Sequence, residues 1–442
     1  MATRNQLIDF VREARQRTCD LFADLTDGQL IGPRLPTVNP LLWEIGHVAW
    51  FQEKWVLRHA AKRNPLRRDG DVLYDSAAVA HDTRWDLPLP SRQKTLHYLQ
   101  EVRDRVLERL MQREPSPKDV YFTLLSVFHE DMHTEAFTYT RQSLGYPAPQ
   151  LNLPASNCGS PDNVAPSTVP VAALSQADVD LPGGMFELGA TPGKLFVFDN
   201  EKWAHTVEVA PFAIARTPVT QGQFAAFVDD GGYRRSRFWS EQGWLWREEA
   251  KAEHPVYWQL EAPGRWLRRD FDRWVPLESA RPMIHVNWYE AEAYCRWAGR
   301  RLPRESEWEF AATANPPEGR RAGTKRRFPW GDTFPTPRHA HLDWGTMACI
   351  DVDRLPDGDS AFGCRQMIGN VWEWTADDFL PYPGFTIDPY KEYSAPWFRT
   401  HKVLRGGCWV TRARLIRNTW RNFYRPDRRD VWAGFRTCAL AP

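Results

Sequence analysis

Through the first 145 residues apolar positions recur with a helical period; afterwards they break into short runs. Four segments carry the helical pattern, at about 4–24, 40–60, 91–113 and 117–143. The last opens on Ser116-Pro117, an N-cap followed by proline at the first helical position. It holds no Gly or Pro from Val120 to Gln142, and Gly145-Tyr146-Pro147 stops it. Asn39-Pro40 opens the second segment by the same logic, leading into LLWEIGHVAWFQEKWVL. Four helices of this length predict a four-helix bundle over residues 1–145. Residues 146–178 are rich in Pro, Ser, Ala and Asn and read as a linker. Residues 179–442 predict a second domain of short strands and frequent turns, in which Tyr289 to Trp297 is the one clear helix. The fold class expected is therefore α+β. No internal repeat, P-loop, GxSxG or dinucleotide fingerprint interrupts that picture.

Polar residues inside the apolar helices bring in the chemistry. His129 and His133 stand one turn apart in FHEDMHTE, so their imidazoles share a helix face. That spacing suits one metal ion, and neutral imidazole suits iron, copper or zinc better than magnesium or calcium. By itself the pair is equally what an amphipathic helix carries. A third histidine, His47, lies among Trp43, Ile45, Val48, Trp50, Phe51 and Trp55, where it needs a buried partner. A metal ion or a backbone carbonyl would each serve. Glu135 completes HxxxHxE but sits about 200° around the helix from His133. It is expected to act behind the ligands or between helices, leaving an all-histidine site with coordination positions open. The stretch YDSAAVAHDTRWDLPLP, with His81, Asp82, Arg84 and Trp85, either covers the bundle mouth or simply connects two helices.

Composition narrows the class. Basic and acidic residues number 57 and 56, which points to neither a nucleic-acid nor a membrane-surface partner. The polar N-terminus predicts no signal peptide, and no apolar run of membrane-spanning length occurs. Seven scattered cysteines without a CxxC pair argue against a disulfide framework or zinc ribbon, and for a cytoplasmic location. With 22 tryptophans, the loop-rich half is expected to be pinned by aromatic anchors, Trp372 and Trp374 among them.

The second domain carries LPGGMFELGA, TPVTQGQFAAF, PMIHVNWYEAEAYCRWAGRRLPRESEWEFAA, FPWGD, GNVWEWTADDF, VLRGGCW and AGFR, in that order. This string resembles the sulfatase-modifying-factor fold of the formylglycine-generating enzyme, a C-type-lectin-like fold. The copper-dependent function of that enzyme needs a cysteine pair after the GGxW turn. Here Val410 to Arg417 contains none, which argues against that function. The first domain resembles the DinB-like helical family, and the two in this order resemble the ergothioneine-type synthases (EgtB type). The resemblance implies an Fe(II) enzyme whose ligands match His47, His129 and His133, acting on hercynine and dioxygen. It further implies a substrate region at Arg421-Asn422-Phe423-Tyr424-Arg425-Pro426-Asp427-Arg428. Tyr424 stands where family members using an amino-acid thiol have an acid, while Arg428 keeps the basic position.

That departure, with PTVNPLLWEIGHVAWFQEKW and LYDSAAVAHDTRWDLPLPS, is similar to the selenoneine-synthase branch (SenA type), which takes a selenosugar. Arg84, Trp85, Asn422, Phe423, Tyr424 and Arg428 are then the expected substrate contacts. Tyr382 is the expected active-site phenol, the alternative being a packed aromatic. The sulfur reading, with a thiol donor, is the other member of the same class. Two further classes stay open: a zinc or nickel DinB-type thiol transferase or hydrolase, and a lectin-like binding protein.

Overall fold

The computed structural model describes residues 2–151, 178–193, 195–316 and 325–440. They form two compact units, one built on the residues up to 151 and one on those from 178 onward, with 195–196 grouped with the first. Most of the expected linker, 152–177, lies outside the described residues.

In the first unit the long helices are α1 (Arg4–Asp20), α3 (Leu41–Gln52), α5 (Arg92–Gln112) and α6 (Pro117–Leu144). The shorter α2 (Asp27–Ile31) and α4 (Gly70–Tyr74) were not legible from periodicity. Helices α1 and α3 each pack against both α5 and α6. The start of α6 is as expected: the Ser116 side chain accepts from the Asp119 amide, Pro117 follows, and Gly145 closes the helix at φ +65°. The start of α3 is not. Pro40 occupies the cap without a side-chain bond, because the Asn39 amide oxygen accepts from Arg84 at 2.6 Å instead. Beyond Gln52 the helix continues as a π-helical stretch, Glu53–Ala60. Its first residue, Glu53, accepts from the Leu66 amide at 3.0 Å and from the Tyr98 hydroxyl.

The second unit is built on small sheets. One orders β1 (Asp178–Leu181), β4 (Phe212–Ala215), β13 (Cys438–Ala439) and β8 (Arg300–Arg301). Another orders β11 (Asn422–Tyr424), β10 (Lys402–Arg405), β9 (Trp372–Asp378) and β12 (Ala433–Gly434). A hairpin joins β2 (Gly184–Leu188) to β3 (His205–Val209), and a three-stranded meander runs through β5 (Trp258–Ala262), β6 (Arg265–Asp270) and β7 (Arg273–Pro276). The expected helix is α9 (Trp288–Trp297), and three others were missed: α7 (Gln221–Asp229), α8 (Glu241–Ala250) and α10 (Glu305–Thr313). Thr220 with Gln223 is a capping box that marks the start of α7 in the sequence.

Trp308, Trp344, Trp372, Trp374 and Trp409 are fully buried, as expected of the aromatic anchors. Two of them use their polar edges: Trp308 donates to Glu373 at 2.9 Å and Trp374 to the Val286 carbonyl at 2.9 Å. Buried Arg405 and Arg421 both bond Glu305, and Arg436 holds Glu373.

Candidate metal centre

The π-electron-rich face of α3 meets α6 at the three histidines. One ring nitrogen from each of His47, His129 and His133 lies within 4.8 Å of the others, so the set can hold one ion. It is the one such group among the described residues. His47 is 3 % and His129 4 % exposed. Their Nε2 atoms approach to 3.3 Å. The His47 Nδ1–H donates to the Tyr74 carbonyl at 2.7 Å, which leaves its Nε2 lone pair for an ion. On His133 the Nδ1–H donates to Glu44 Oε1 at 2.5 Å, leaving Nε2 in the same way. Burial pushes both His47 and His129 far below the ordinary imidazole range, with the His133 charge acting in the same direction. Both rings are therefore neutral at physiological pH, the state a metal ligand requires.

Aromatic rings wall the cluster. Trp43 stacks on His47 at 5.0 Å and Trp50 at 5.7 Å, and Phe51 lies flat on His129 at 3.5 Å. Such a wall fixes ring orientation and keeps water away from the nitrogens. Three convergent neutral imidazoles with no acidic ligand suit iron(II), copper or zinc. The donor set fits a divalent transition-metal ion.

Several expected residues stand elsewhere or are already engaged. The carboxylate found on His133 belongs to Glu44, not Glu135, which is buried farther along α6. A signal was available: Glu44 is a charge inside LLWEIGHVAW, and it demands a partner by the argument that singled out His47. Arg84 is 9 % exposed, lies over Trp43 at 4.0 Å, and donates to Asn39 at 2.6 Å and to the Val79 carbonyl at 3.2 Å. These contacts hold it in the interior of the first unit. Trp85 is half-buried beside His81, with Arg34 over its ring at 5.8 Å.

In the second unit, Tyr382 is 6 % exposed and packs in the core with Leu181, Phe186 and Trp308. Its hydroxyl donates to Glu305 at 3.3 Å, Arg421 lies over its ring at 4.1 Å, and burial holds its pKa far above the ordinary phenol value. The phenol expected at the active site thus lies in the core of the second unit, bonded to Glu305. Asn422, Phe423 and Tyr424 form β11, paired antiparallel to β10. Phe423 stacks on Phe379 at 4.1 Å, and Asn422 Oδ1 accepts from the Phe423 amide at 2.8 Å. Arg428 lies over the Tyr424 ring at 5.2 Å and grips Asp430 with two bonds, of 2.6 and 2.8 Å. An acid thus does stand beside the basic residue, supplied by Asp430 rather than by position 424. Cys408 is fully buried, with Sγ 3.5 Å from Thr411 Oγ1.

Comparison with known proteins matches residues 165–441 to the sulfatase-modifying factor enzyme 1-like domain and residues 11–136 to the DinB superfamily. The chain is 38 % identical to the hercynine oxygenase of Mycolicibacterium thermoresistibile, across 98 % of its own length and 93 % of that relative's. This chain belongs to the hercynine oxygenase family. It is an oxygen-dependent oxidoreductase. The relative of that name from Mycobacterium tuberculosis is 36 % identical across 99 % of both chains. The formylglycine-generating enzyme of the same organism is 35 % identical, but across only 48 % of this chain and 76 % of its own. The hercynine oxygenases thus align with both units, and the formylglycine-generating enzyme with about half of the chain. Among the described residues, no helix is long and apolar enough to cross a membrane.

Proposed function

We propose that this enzyme joins a selenosugar to hercynine in an iron(II)- and dioxygen-dependent reaction, giving a selenoxide conjugate on the way to selenoneine. The observation that carries the oxidative reading is the cluster of His47, His129 and His133 in a chain aligned end to end with hercynine oxygenases. Iron held by these imidazoles would supply the redox chemistry that couples dioxygen to bond formation. The balance is complete. The hercynine ring C–H and the donor Se–H bonds break, and the C–Se and Se–O bonds form. The second oxygen atom leaves as water.

The chain's own part is positional. Neutral His47 and His129 present lone pairs, and Trp43, Trp50 and Phe51 keep the site dry. A trimethylammonium group is best received on an aromatic face. By family resemblance, Asn422 is assigned to the hercynine carboxylate, and Phe423, Tyr424, Arg428 and Trp85 to substrate contacts. The selenosugar assignment rests on Tyr424, a neutral aromatic that suits a sugar ring better than a zwitterion.

One observation favours a second reading, a sulfur donor such as gamma-glutamylcysteine or cysteine. The Arg428–Asp430 pair offers a base and an acid side by side, which matches a zwitterionic donor. The test is anaerobic reconstitution with Fe(II), then air, hercynine and one donor at a time: a 1-selenosugar, its 1-thio analogue, gamma-glutamylcysteine and cysteine. A hercynine–selenium adduct from the selenosugar alone, read by mass spectrometry, supports the proposal. Efficient coupling of either amino-acid thiol replaces it with the sulfur reading.

A further inference from the structure

Helices α3 and α6 are joined at the cluster by two cross-helix contacts. His47 reaches His129, and Glu44, one turn earlier on α3, reaches His133, one turn later on α6. The pairing runs in opposite directions along the two helices, as antiparallel neighbours require. Glu44 is 1 % exposed, so its carboxylate has been taken fully out of water. Such a charge is retained at a cost of several kcal/mol unless its partners repay it. Its bond to His133, at 2.5 Å, is short and direct. A positive charge also stands close by: the Glu44 charge acts to keep Arg84 protonated against the burial that lowers its pKa. Arg84 itself is pinned by Asn39 and by the face of Trp43, the ring that stacks on His47. The elements around the cluster are thus tied into one frame.

We propose that Glu44 is the positioning residue of this centre: it fixes the His133 ring and its Nδ1–H tautomer so that Nε2 faces the ion, with Arg84 as its counter-charge. Glu135, the acid of the written motif, does not have this role. The inference rests on the proposed metal function of the same histidines. A carboxylate behind a metal-bound imidazole raises ligand basicity and holds ring orientation, and its loss typically weakens metal binding ten- to a hundred-fold.

The test uses the full-length chain, loaded with Co(II) as a spectroscopic stand-in, with affinity read by chelator competition. Glu44→Gln keeps size and an acceptor but removes the charge; Glu44→Ala removes both; Glu135→Gln is the comparison. Expected are a ten- to hundred-fold loss of Co(II) affinity in Glu44→Ala, a smaller loss in Glu44→Gln, and a shifted ligand-field spectrum in both. The unfolding midpoint of metal-free Glu44→Gln is read alongside, because the variant leaves buried Arg84 without its counter-charge. A purely structural Glu44 would lower that midpoint and leave the spectrum of bound Co(II) unchanged, which overturns the assignment. Unchanged affinity in both Glu44 variants, or the loss appearing in Glu135→Gln instead, also overturns it. A parent chain that binds no Co(II) overturns the metal reading itself, an outcome distinct from the others.

Discussion

Gly46 and Tyr74 are fitted to each other: a β-carbon on Gly46 would fall 2.2 Å from the Tyr74 ring. The carbonyl of the same tyrosine accepts the His47 Nδ1–H. The glycine beside His47 therefore lets α4 approach α3 closely enough to fix the imidazole.

Gly46→Ala should consequently damage both packing and the metal site. Tyr74 is fully buried, so overpacking should cost roughly 1–3 kcal/mol. Displacing its carbonyl should also weaken metal binding. Denaturant unfolding of the metal-free chain and Co(II) titration together check this. A variant with unchanged unfolding and unchanged affinity would show that Tyr74 is not held against the helix.

Arg15 ties the first unit together from α1. It donates to the Leu99 carbonyl on α5 at 2.7 Å, to Gln52 on α3 at 2.9 Å and to Glu130 on α6 at 3.2 Å. Arg15 and Glu130 are both 1 % exposed, so removing the guanidinium strands a carboxylate beside His129. Arg15→Met should cost roughly 3–5 kcal/mol, and Arg15→Met with Glu130→Leu should recover most of it. Urea unfolding of single and double variants measures the difference. Equal losses in the two would mean that the stranded charge is not the cause.

How far the sequence carried these conclusions depends on the kind of constraint. Helix α6 was legible because its start and stop signals, Ser116-Pro117 and Gly145, are local and chemically specific. The histidines were legible because a polar ring in an apolar helix is an anomaly that needs a partner. Glu44 was equally anomalous, but its partner is 89 residues away, and a complete-looking HxxxHxE drew attention to Glu135. Arg84 and Tyr382 show the converse limit. Their hydrogen bonds, Arg84 to Asn39 and Tyr382 to Glu305, join residues far apart in the chain and show only in the folded structure. The π-helical turn at Glu53–Ala60 has no periodicity signal, since it arises from how Glu53 meets Tyr98 and Leu66.

His285 provides a pH test in the second unit. It is 4 % exposed, sits at φ +60° between the rings of Tyr257 and Trp432, and is pushed down to about 3 from 6.5, first by burial and then by Arg268 and Arg269. Below pH 6.5 the unfolded chain takes up a proton that the folded chain refuses until about pH 3. Its contribution to stability is therefore intact above 6.5 and is lost as pH falls towards 3. At pH 5 the loss is about 2 kcal/mol. Asparagine tolerates the left-handed backbone at this position and does not titrate. His285→Asn should thus show a smaller drop in unfolding midpoint from pH 7 to pH 5 than the parent. An identical drop would remove His285 as a source of acid sensitivity.

Donor choice should turn on the ring at position 424. Tyr424 lies under the Arg428 guanidinium, whose Nε and Nη2 both donate to Asp430. An acid at 424 would stand beside the same guanidinium and compete with Asp430 for it. It would also replace an aromatic face with a partner for an ammonium group. Tyr424→Asp should therefore lower kcat/KM for the selenosugar and raise it for gamma-glutamylcysteine, changing the ratio by about ten-fold or more. Tyr424→Phe keeps the face and should leave the ratio near the parent value. Metal content should stay at the parent level in both, since β11 supplies none of the three imidazoles. If Tyr424→Asp and Tyr424→Phe shift the ratio equally, the phenol hydroxyl rather than the ring face governs the donor. If neither shifts it, the donor is selected elsewhere, and the argument from Tyr424 to a sugar fails.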